Sequence, residues 1–405
     1  MKKFNKVLSV VVASAMVMAM AGCGNTDNGS AATGTNAATE SAAADNGSAS
    51  GSVFKIGGIG PTTGGAAVYG LAVQHGAEIA VEEINAAGGI NGYQVEFKFQ
   101  DDEADAEKSV NAYNALKDWG AQVLDGSTTS GACIAVTDKT KEDNMFQITP
   151  SGSAVECVQY DNNFRVCFSD PNQGLASAQY IGENGLAEKI AVIYDSSDVY
   201  SSGIYEKFVK EAENQPFEVV AAEAFTADNK TDFSVQLQKA KDAGADMVFL
   251  PIYYQESALI LTQAAAMGYS PKWFSCDGMD GILGGVDNFD VSLTEGVMLL
   301  TPFAADATDD LTQSFVTKYK EKYGETPNQF AADSYDAIYV IKAAIEKSGV
   351  TPDMSVSDIC DGMKAAMTEI TVDGLTGNGM TWTADGEANK APKAVVIENG
   401  AYKAM

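Results

Sequence analysis

Residues 53–99 alternate between patterns that are typical of strands and of helices. Residues 53–59 are VFKIGGI, residues 70–87 are GLAVQHGAEIAVEEINAA, and residues 95–99 are VEFKF. Apolar side chains recur at helical spacing in the second segment, Gly88-Gly89 ends that pattern, and the third segment alternates apolar with charged residues. We therefore predict a strand, a helix and a second strand, the unit from which parallel sheets are built.

The same order of strand and helix continues along the chain. Short apolar runs recur at residues 122–124, 145–148, 190–194, 247–250 and 272–275, mostly separated by segments of helix length. This spacing predicts an α/β fold in which helices cover both faces of parallel sheets. A body of about 350 residues is larger than a domain built on one sheet usually is, so we expect two lobes. Ligands bind such sheets beyond the carboxyl ends of their strands.

Composition excludes several classes of function. The chain has 405 residues and a net charge of -29, with 26 Lys+Arg against 55 Asp+Glu, and this excess of acid argues against nucleic-acid binding. It contains one arginine, Arg165, and one histidine, His75. One histidine cannot form a histidine-rich metal site, and one arginine cannot form an arginine clamp. We expect neither a metal nor a cofactor.

The N-terminus has the pattern of an export signal. Residues 1–22 combine a basic start, a short apolar run and small residues, which predicts a signal peptide rather than a membrane span. The following Cys23 resembles the lipidated cysteine of bacterial lipoproteins, although an ordinary signal peptide with an incidental cysteine is the alternative. Residues 23–52 have the composition of a flexible linker. We expect a lipid anchor at the extracytoplasmic face of the cell membrane.

Five cysteines follow Cys23, and their pairing is open. Cys157 and Cys167 are near enough in sequence to close a small loop, but buried free thiols are an equal alternative. The absence of any Cys-x-x-Cys gives metal and redox interpretations little support.

A glycine-rich turn at residues 58–65, with Asp101-Asp102 after the next strand, loosely matches a dinucleotide fingerprint. Pro61 removes an N–H group that a phosphate needs. The turn is better explained as a place where the backbone approaches a small ligand or another domain.

Two hydroxyl-rich turns follow predicted strands in the first half of the chain. The first, residues 126–131, contains Ser130, and the second, residues 149–153, contains Ser151 and Ser153. Hydroxyls and free amides at helix N-termini bind carboxylates. Simple helix capping explains either turn alone, but two such turns at neighbouring strand ends favour a shared anion pocket.

Tyrosines and an aspartate follow strands in the second half. Tyr253 comes after residues 247–250, and Asp277 comes after residues 272–275. A carboxylate beside tyrosines can hold an ammonium group, although surface placement is the alternative. Tyr69 and Tyr200 are candidates for closing over an apolar part of the ligand, with core packing as the alternative. Together these residues predict a site for a zwitterion.

These motifs, in this order, resemble the leucine/isoleucine/valine-type solute-binding proteins of ABC transporters, which have the type I periplasmic-binding-protein fold. The resemblance covers about residues 53–405. The segments that carry it are Phe54–Gly60, Tyr69-Gly70, Gly76–Gly92, Asp101-Asp102, Ser130-Gly131, Pro150–Ser153, Asp277-Gly278, Glu295-Gly296 and Tyr335–Ala337.

The resemblance implies two doubly wound parallel-sheet lobes that close by a hinge. Lobe 1 would comprise residues 53–170 and 300–376, and lobe 2 residues 171–299 and 377–405. The three hinge crossovers would lie near residues 169–172, 299–302 and 377–382.

The resemblance also implies roles for the site residues. Ser130 and Ser153 would bind the α-carboxylate through hydroxyl and amide groups, and Ser151 would add backbone contacts. Asp277 and Tyr253 would hold the α-ammonium. The side-chain pocket would be walled by Tyr69, Tyr200 and Phe330. Asp277 stands where the best-known relatives have Glu, so its reach is one methylene shorter.

The expected function is therefore capture of a branched-chain or similar apolar amino acid and its delivery to an ABC permease, by a monomer. A ligand-sensing module, or a receptor for another small carboxylate or amide, is the alternative within binding proteins. A hydrolase that uses Ser130 or Ser153 is the alternative from another class. No Gly-x-Ser-x-Gly surrounds these serines, and His75 is remote in sequence, so we do not expect an enzyme.

Overall fold

The computed structural model describes residues 51–405. The predicted signal peptide at residues 1–22, Cys23 and nearly all of the linker at residues 23–52 lie outside the described residues.

The first sheet has five parallel strands in the order β2-β1-β3-β4-β5. Its strands are Phe54–Gly60 (β1), Val95–Asp101 (β2), Val123–Asp125 (β3), Phe146–Thr149 (β4) and Asn163–Arg165 (β5).

The second sheet has seven strands in the order β12-β11-β10-β9-β8-β6-β7. Its strands are Lys189–Asp195 (β6), Glu218–Phe225 (β7), Met247–Leu250 (β8), Lys272–Ser275 (β9), Met298–Thr301 (β10), Lys393–Glu398 (β11) and Ala401–Ala404 (β12). The strands from β6 to β10 are parallel, whereas β11 and β12 form an antiparallel hairpin at one edge. The prediction of parallel sheets is thus confirmed, with this edge hairpin as an addition to it.

Ten helices link and cover these strands in the described part of the chain. They are Ala67–Ala86 (α1), Ala106–Trp119 (α2), Ser130–Asp143 (α3), Asp170–Glu183 (α4), Val199–Ala212 (α5), Ser234–Asp242 (α6), Tyr254–Ala266 (α7), Asp310–Tyr323 (α8), Gln329–Ser348 (α9) and Val356–Met367 (α10). No helix among residues 51–405 is long and apolar enough to cross a membrane.

Helix α1 shows how its sequence fixes the local structure. The helix packs closely on α9, because a Cβ on Gly76 would lie 2.8 Å from the Ala331 carbonyl carbon. It ends before Gly88 and Gly89, whose φ angles of +106° and +84° are accessible to glycine at little cost. The predicted end of the helix is therefore correct, and its start lies three residues earlier than predicted.

All five cysteines in the described residues are buried and free. This result favours the free-thiol alternative for Cys157 and Cys167. The limit between lobes that the sequence sets at residue 300 falls inside β10, which belongs wholly to the second sheet. The lobe limits and hinge crossovers stay predictions.

Candidate functional site

The predicted site residues follow the carboxyl ends of strands in both sheets. Ser130 begins α3 shortly after β3, and Ser151 and Ser153 follow β4. On the second sheet, Tyr253 follows β8 and Asp277 follows β9. Parallel strands present these ends at one edge of each sheet, which is why loops distant in sequence converge.

On one side of the cleft, which we call the serine side, the Ser130 hydroxyl is the meeting point of two loops. Its Oγ accepts hydrogen bonds from the backbone N–H groups of Ser153 and Ala154, each at 3.1 Å. The Ser153 hydroxyl lies 3.4 Å from the same atom. Ser151 donates its hydroxyl to the Thr128 carbonyl at 2.6 Å. Two amides and two hydroxyls therefore converge, a suitable donor set for a carboxylate.

On the opposite side, the aspartate side, the Asp277 carboxyl is buried and held at both oxygens. Oδ1 accepts from the Tyr200 hydroxyl at 2.6 Å, and Oδ2 accepts from Nε2 of Gln173 at 3.0 Å. Burial raises the pKa of Asp277 from its ordinary value of 3.8 to about 6, although both hydrogen bonds oppose that shift. Ionisation of the Asp277 carboxyl is thus unfavourable unless a cation lies beside it.

A second buried carboxyl, that of Asp170, lies near this group. Its backbone N–H donates to the Ser153 carbonyl at 2.9 Å, so it touches the serine side as well. Neither of its carboxyl oxygens accepts a well-aligned hydrogen bond. Burial raises the pKa of Asp170 and the charge of Asp277 raises it further, whereas the nearby Ser153 hydroxyl lowers it. An unpartnered buried carboxyl is costly, and an ammonium ligand would relieve that cost. Asp170 also lines a cavity of 410 Å³ between residues 154–156 and α5.

Four predicted aromatic residues form one cluster. The ring of Tyr69 is centred 4.4 Å from that of Phe330 and 5.4 Å from that of Tyr253. Tyr253 in turn stacks on Tyr200 with centroids 5.0 Å apart. These rings therefore offer an apolar wall beside the two polar sides.

The two sets of loops are in direct contact across the cleft. The Tyr69 hydroxyl donates to the Gly278 carbonyl and accepts from the Tyr254 N–H at 3.2 Å. At the start of α9, Gln329 donates from Nε2 to the Asp277 carbonyl at 3.1 Å. The cleft is therefore closed between the loops of the two sheets.

Within residues 51–405, the structure places the eight predicted ligand-binding residues on the two sides and the aromatic wall of the cleft, with one difference in pairing. The sequence assigns Tyr253 to the ammonium group and Tyr200 to the side-chain wall, yet the hydroxyl that contacts Asp277 belongs to Tyr200. Sequence reasoning missed Asp170, Gln173 and the Ala154 amide. The position of Asp170 within the predicted crossover at residues 169–172 was the one available signal.

Comparison with known proteins identifies the family. The periplasmic binding protein family matches residues 53–401. The chain belongs to this family. Its fold is that of the type I periplasmic binding proteins.

Two curated relatives and one solved structure illustrate the similarity. The Leu/Ile/Val-binding protein homolog 3 of Brucella melitensis is 31% identical over 300 residues, 74% of this chain and 80% of that protein. The leucine-, isoleucine-, valine-, threonine- and alanine-binding protein of Pseudomonas aeruginosa is 30% identical, over 73% of this chain and 79% of that protein.

The solved structure is that of LivJ from Streptococcus pneumoniae, a branched-chain amino acid transporter substrate-binding protein in complex with isoleucine. It matches with a TM-score of 0.78 and 28% identity, and the match covers 87% of this chain and 99% of LivJ. The homologues of this periplasmic binding protein are thus binding proteins for branched-chain amino acids.

Proposed function

We propose that this protein is an extracytoplasmic receptor that captures a branched-chain or similar apolar amino acid between its two lobes and delivers it to an ABC permease. The observation that carries this proposal is the closed cleft, in which a carboxylate-binding donor set faces buried carboxyls beside an aromatic wall. The names of the relatives support the same class of ligand.

In the proposed mode of binding, the ligand carboxylate displaces the internal hydrogen bonds of Ser130 and accepts from the amides of Ser153 and Ala154. The α-ammonium lies between Asp277 and Asp170, so their charges replace the water that it loses. The apolar side chain lies against Tyr69, Tyr253 and Phe330. Since these groups come from both sets of loops, binding favours the closed cleft.

The proposal is tested by thermal unfolding of the protein with L-leucine, L-isoleucine, L-valine, L-threonine or L-alanine, after refolding to remove carried ligand. A ligand at about 100 times its dissociation constant adds about 2.7 kcal/mol to the free energy of unfolding. We expect such a shift with at least one branched-chain amino acid and none with benzoate. No shift across the panel would contradict the proposal.

The anchor is a separate part of the proposal. Cys23 would carry the lipid, residues 1–22 would be removed, and residues 23–52 would tether the body to the membrane. The composition of these residues supports this arrangement. We expect Cys23→Ser to release the protein from the membrane fraction and the matched variant Cys360→Ser to leave it there. A wild-type protein without a lipid would contradict the anchor alone.

The lobe limits and the monomeric state complete the proposal. The parting of the strands into two sheets supports two lobes, and the strand β10 suggests a second crossover after Thr301. A monomer suits delivery to a permease.

A further inference from the structure

The single arginine of the chain is buried directly behind the serine side. Arg165 is the last residue of β5 and is 0% exposed. Its guanidinium donates to the carbonyls of four consecutive residues, with distances of 3.2 Å to Gly152 and 2.9 Å to Ala154. The other two carbonyls are those of Ser153 and Val155.

These carbonyls belong to the peptide units that present the amides of the site. In a trans peptide unit the C=O and N–H groups point in opposite directions. The carbonyl of Gly152 shares its peptide unit with the N–H of Ser153, and the carbonyl of Ser153 shares its unit with the N–H of Ala154. Both N–H groups converge on Ser130 Oγ. The guanidinium therefore binds the C=O ends of these two peptide units, and their N–H ends form the donor set.

We infer that Arg165 is a positioning residue for the ligand carboxylate, which fixes these two peptide units and places a positive charge behind them. This inference rests on the proposed function. It explains how a site with only neutral groups in front can favour an anion, because aligned peptide dipoles and a buried charge act together. Burial of a guanidinium carries a large desolvation cost, which packing alone does not offset.

The charge of Arg165 is only partly neutralised by its surroundings. The nearest acidic partner is Glu387, whose Oε2 lies 3.4 Å from Nε and whose side chain is 33% exposed. The Nε atom has no hydrogen-bond partner. Burial disfavours the charged form of the guanidinium, but the neighbouring Cys167, Glu387, Cys157 and Asp170 together raise its pKa.

Contacts of the Arg165 backbone tie the same residue to the C-terminal segment. Its N–H donates to the Gly386 carbonyl at 3.0 Å, and its carbonyl accepts from the Trp382 indole at 2.8 Å. Because these bonds involve the backbone, they remain available when the side chain is replaced. Variants of Arg165 therefore test the guanidinium rather than this attachment.

The test is calorimetric titration of the full chain with L-leucine and L-leucinamide. Leucinamide keeps the ammonium and the side chain but replaces the carboxylate with a neutral amide. We expect Arg165→Met to weaken leucine binding by about 30-fold or more and leucinamide binding by less than about threefold. Arg165→Lys should lie between wild type and Arg165→Met for leucine, since it keeps the charge but loses the planar set of donors.

Two further variants serve as controls. Glu387→Gln keeps the guanidinium, and we expect leucine affinity within about threefold of wild type. Lys139→Met removes the positive charge of a half-buried lysine of α3 that pairs with Glu142, and it should change neither affinity. Circular dichroism and the unfolding midpoint show which variants are folded. If Arg165→Met does not fold, the losses of leucine and leucinamide affinity are compared in Arg165→Lys instead.

Equal losses for leucine and leucinamide in the Arg165 variants would overturn the inference, since a purely structural role affects both ligands alike. Unchanged leucine binding in Arg165→Met would overturn it as well. Failure of the wild-type protein to bind leucine, isoleucine, valine, threonine or alanine would overturn the proposed function, and with it this inference. The wild-type titration separates that failure from a failure of the Arg165 inference alone.

Discussion

In the proposed mode of binding, the serine side of the cleft would present neutral hydroxyls and amides to the ligand, with the guanidinium of Arg165 behind them, whereas the aspartate side would present the Asp277 carboxyl itself. The serine side meets an anion with fixed dipoles that carry no titratable group. The aspartate side meets a cation with a buried acid whose pKa is raised to about 6. The two sides should therefore respond differently to mutation and to pH.

The largest effect is expected on the aspartate side. Asp277→Ala removes the buried counter-charge of the ligand ammonium, and we expect leucine affinity to fall by about a hundredfold or more. Calorimetric titration measures the loss. The exposed Asp228 provides the control, because Asp228→Ala changes the net charge equally and should leave affinity unchanged. Wild-type affinity in Asp277→Ala would remove this residue from the site.

The pH dependence of leucine binding should also come from the aspartate side. The protonated form of Asp277 predominates below about pH 6, and only its ionised form attracts an ammonium group. Leucine itself stays zwitterionic over this range, so its affinity should fall about tenfold between about pH 7 and about pH 5. Asp277→Asn should reduce the pH dependence to the part that Asp170 contributes. A pH-independent wild-type affinity would show that this carboxyl is not a ligand.

The free energy of unfolding of the ligand-free protein should depend on pH in the opposite direction and fall as the pH rises. Burial raises the pKa of Asp125 to about 7, and of Asp102, Asp198 and Asp277 to about 6. In this range the folded state holds more protons than the unfolded state. The contribution of these four carboxyls to the free energy of unfolding is thus complete below about pH 4 and is lost as the pH rises towards about 7. Saturating leucine should reduce this slope, because it favours the ionised form of Asp277.

A smaller effect is expected on the serine side. Ser130→Ala removes one acceptor and one donor, yet the amides of Ser153 and Ala154 remain available to the carboxylate. We expect leucine affinity to fall about five- to tenfold with no change in its pH profile. Ser151→Ala is a useful comparison, since that hydroxyl is already bound to the Thr128 carbonyl. A loss from Ser130→Ala as large as that from Asp277→Ala would contradict the division between the sides.

The sequence predicts the central strands well, because local composition determines them. The runs at residues 247–250 and 272–275 are short and largely apolar, each has a proline at one end, and they match β8 and β9 to the residue. The edge strand β7 was not predicted. Most of its residues are exposed or half-buried, so its sequence lacks the contrast that marks a buried strand.

Some residues of the candidate site could likewise be predicted from the sequence, and others could not. Ser130, Ser153 and Asp277 could be predicted as site candidates because each lies in the connection that follows a strand, where this type of fold binds ligands. Gln173 was not, because its contact with Asp277 joins residues 104 positions apart and depends on how α4 approaches the second sheet. Apart from its position within the predicted crossover at residues 169–172, Asp170 has the sequence pattern of an ordinary first-turn acid of a helix, and its burial is evident only in the structure.

The central claim is that the cleft recognises both charges of a zwitterion, one on each side. The most direct test is calorimetric titration of the wild-type protein with L-leucine, with L-leucinamide, and with 4-methylpentanoate, which lacks the ammonium. We predict that leucine binds at least about thirtyfold more tightly than either analogue, since each analogue leaves one side without its partner. Binding of either analogue within about threefold of leucine would contradict the claim.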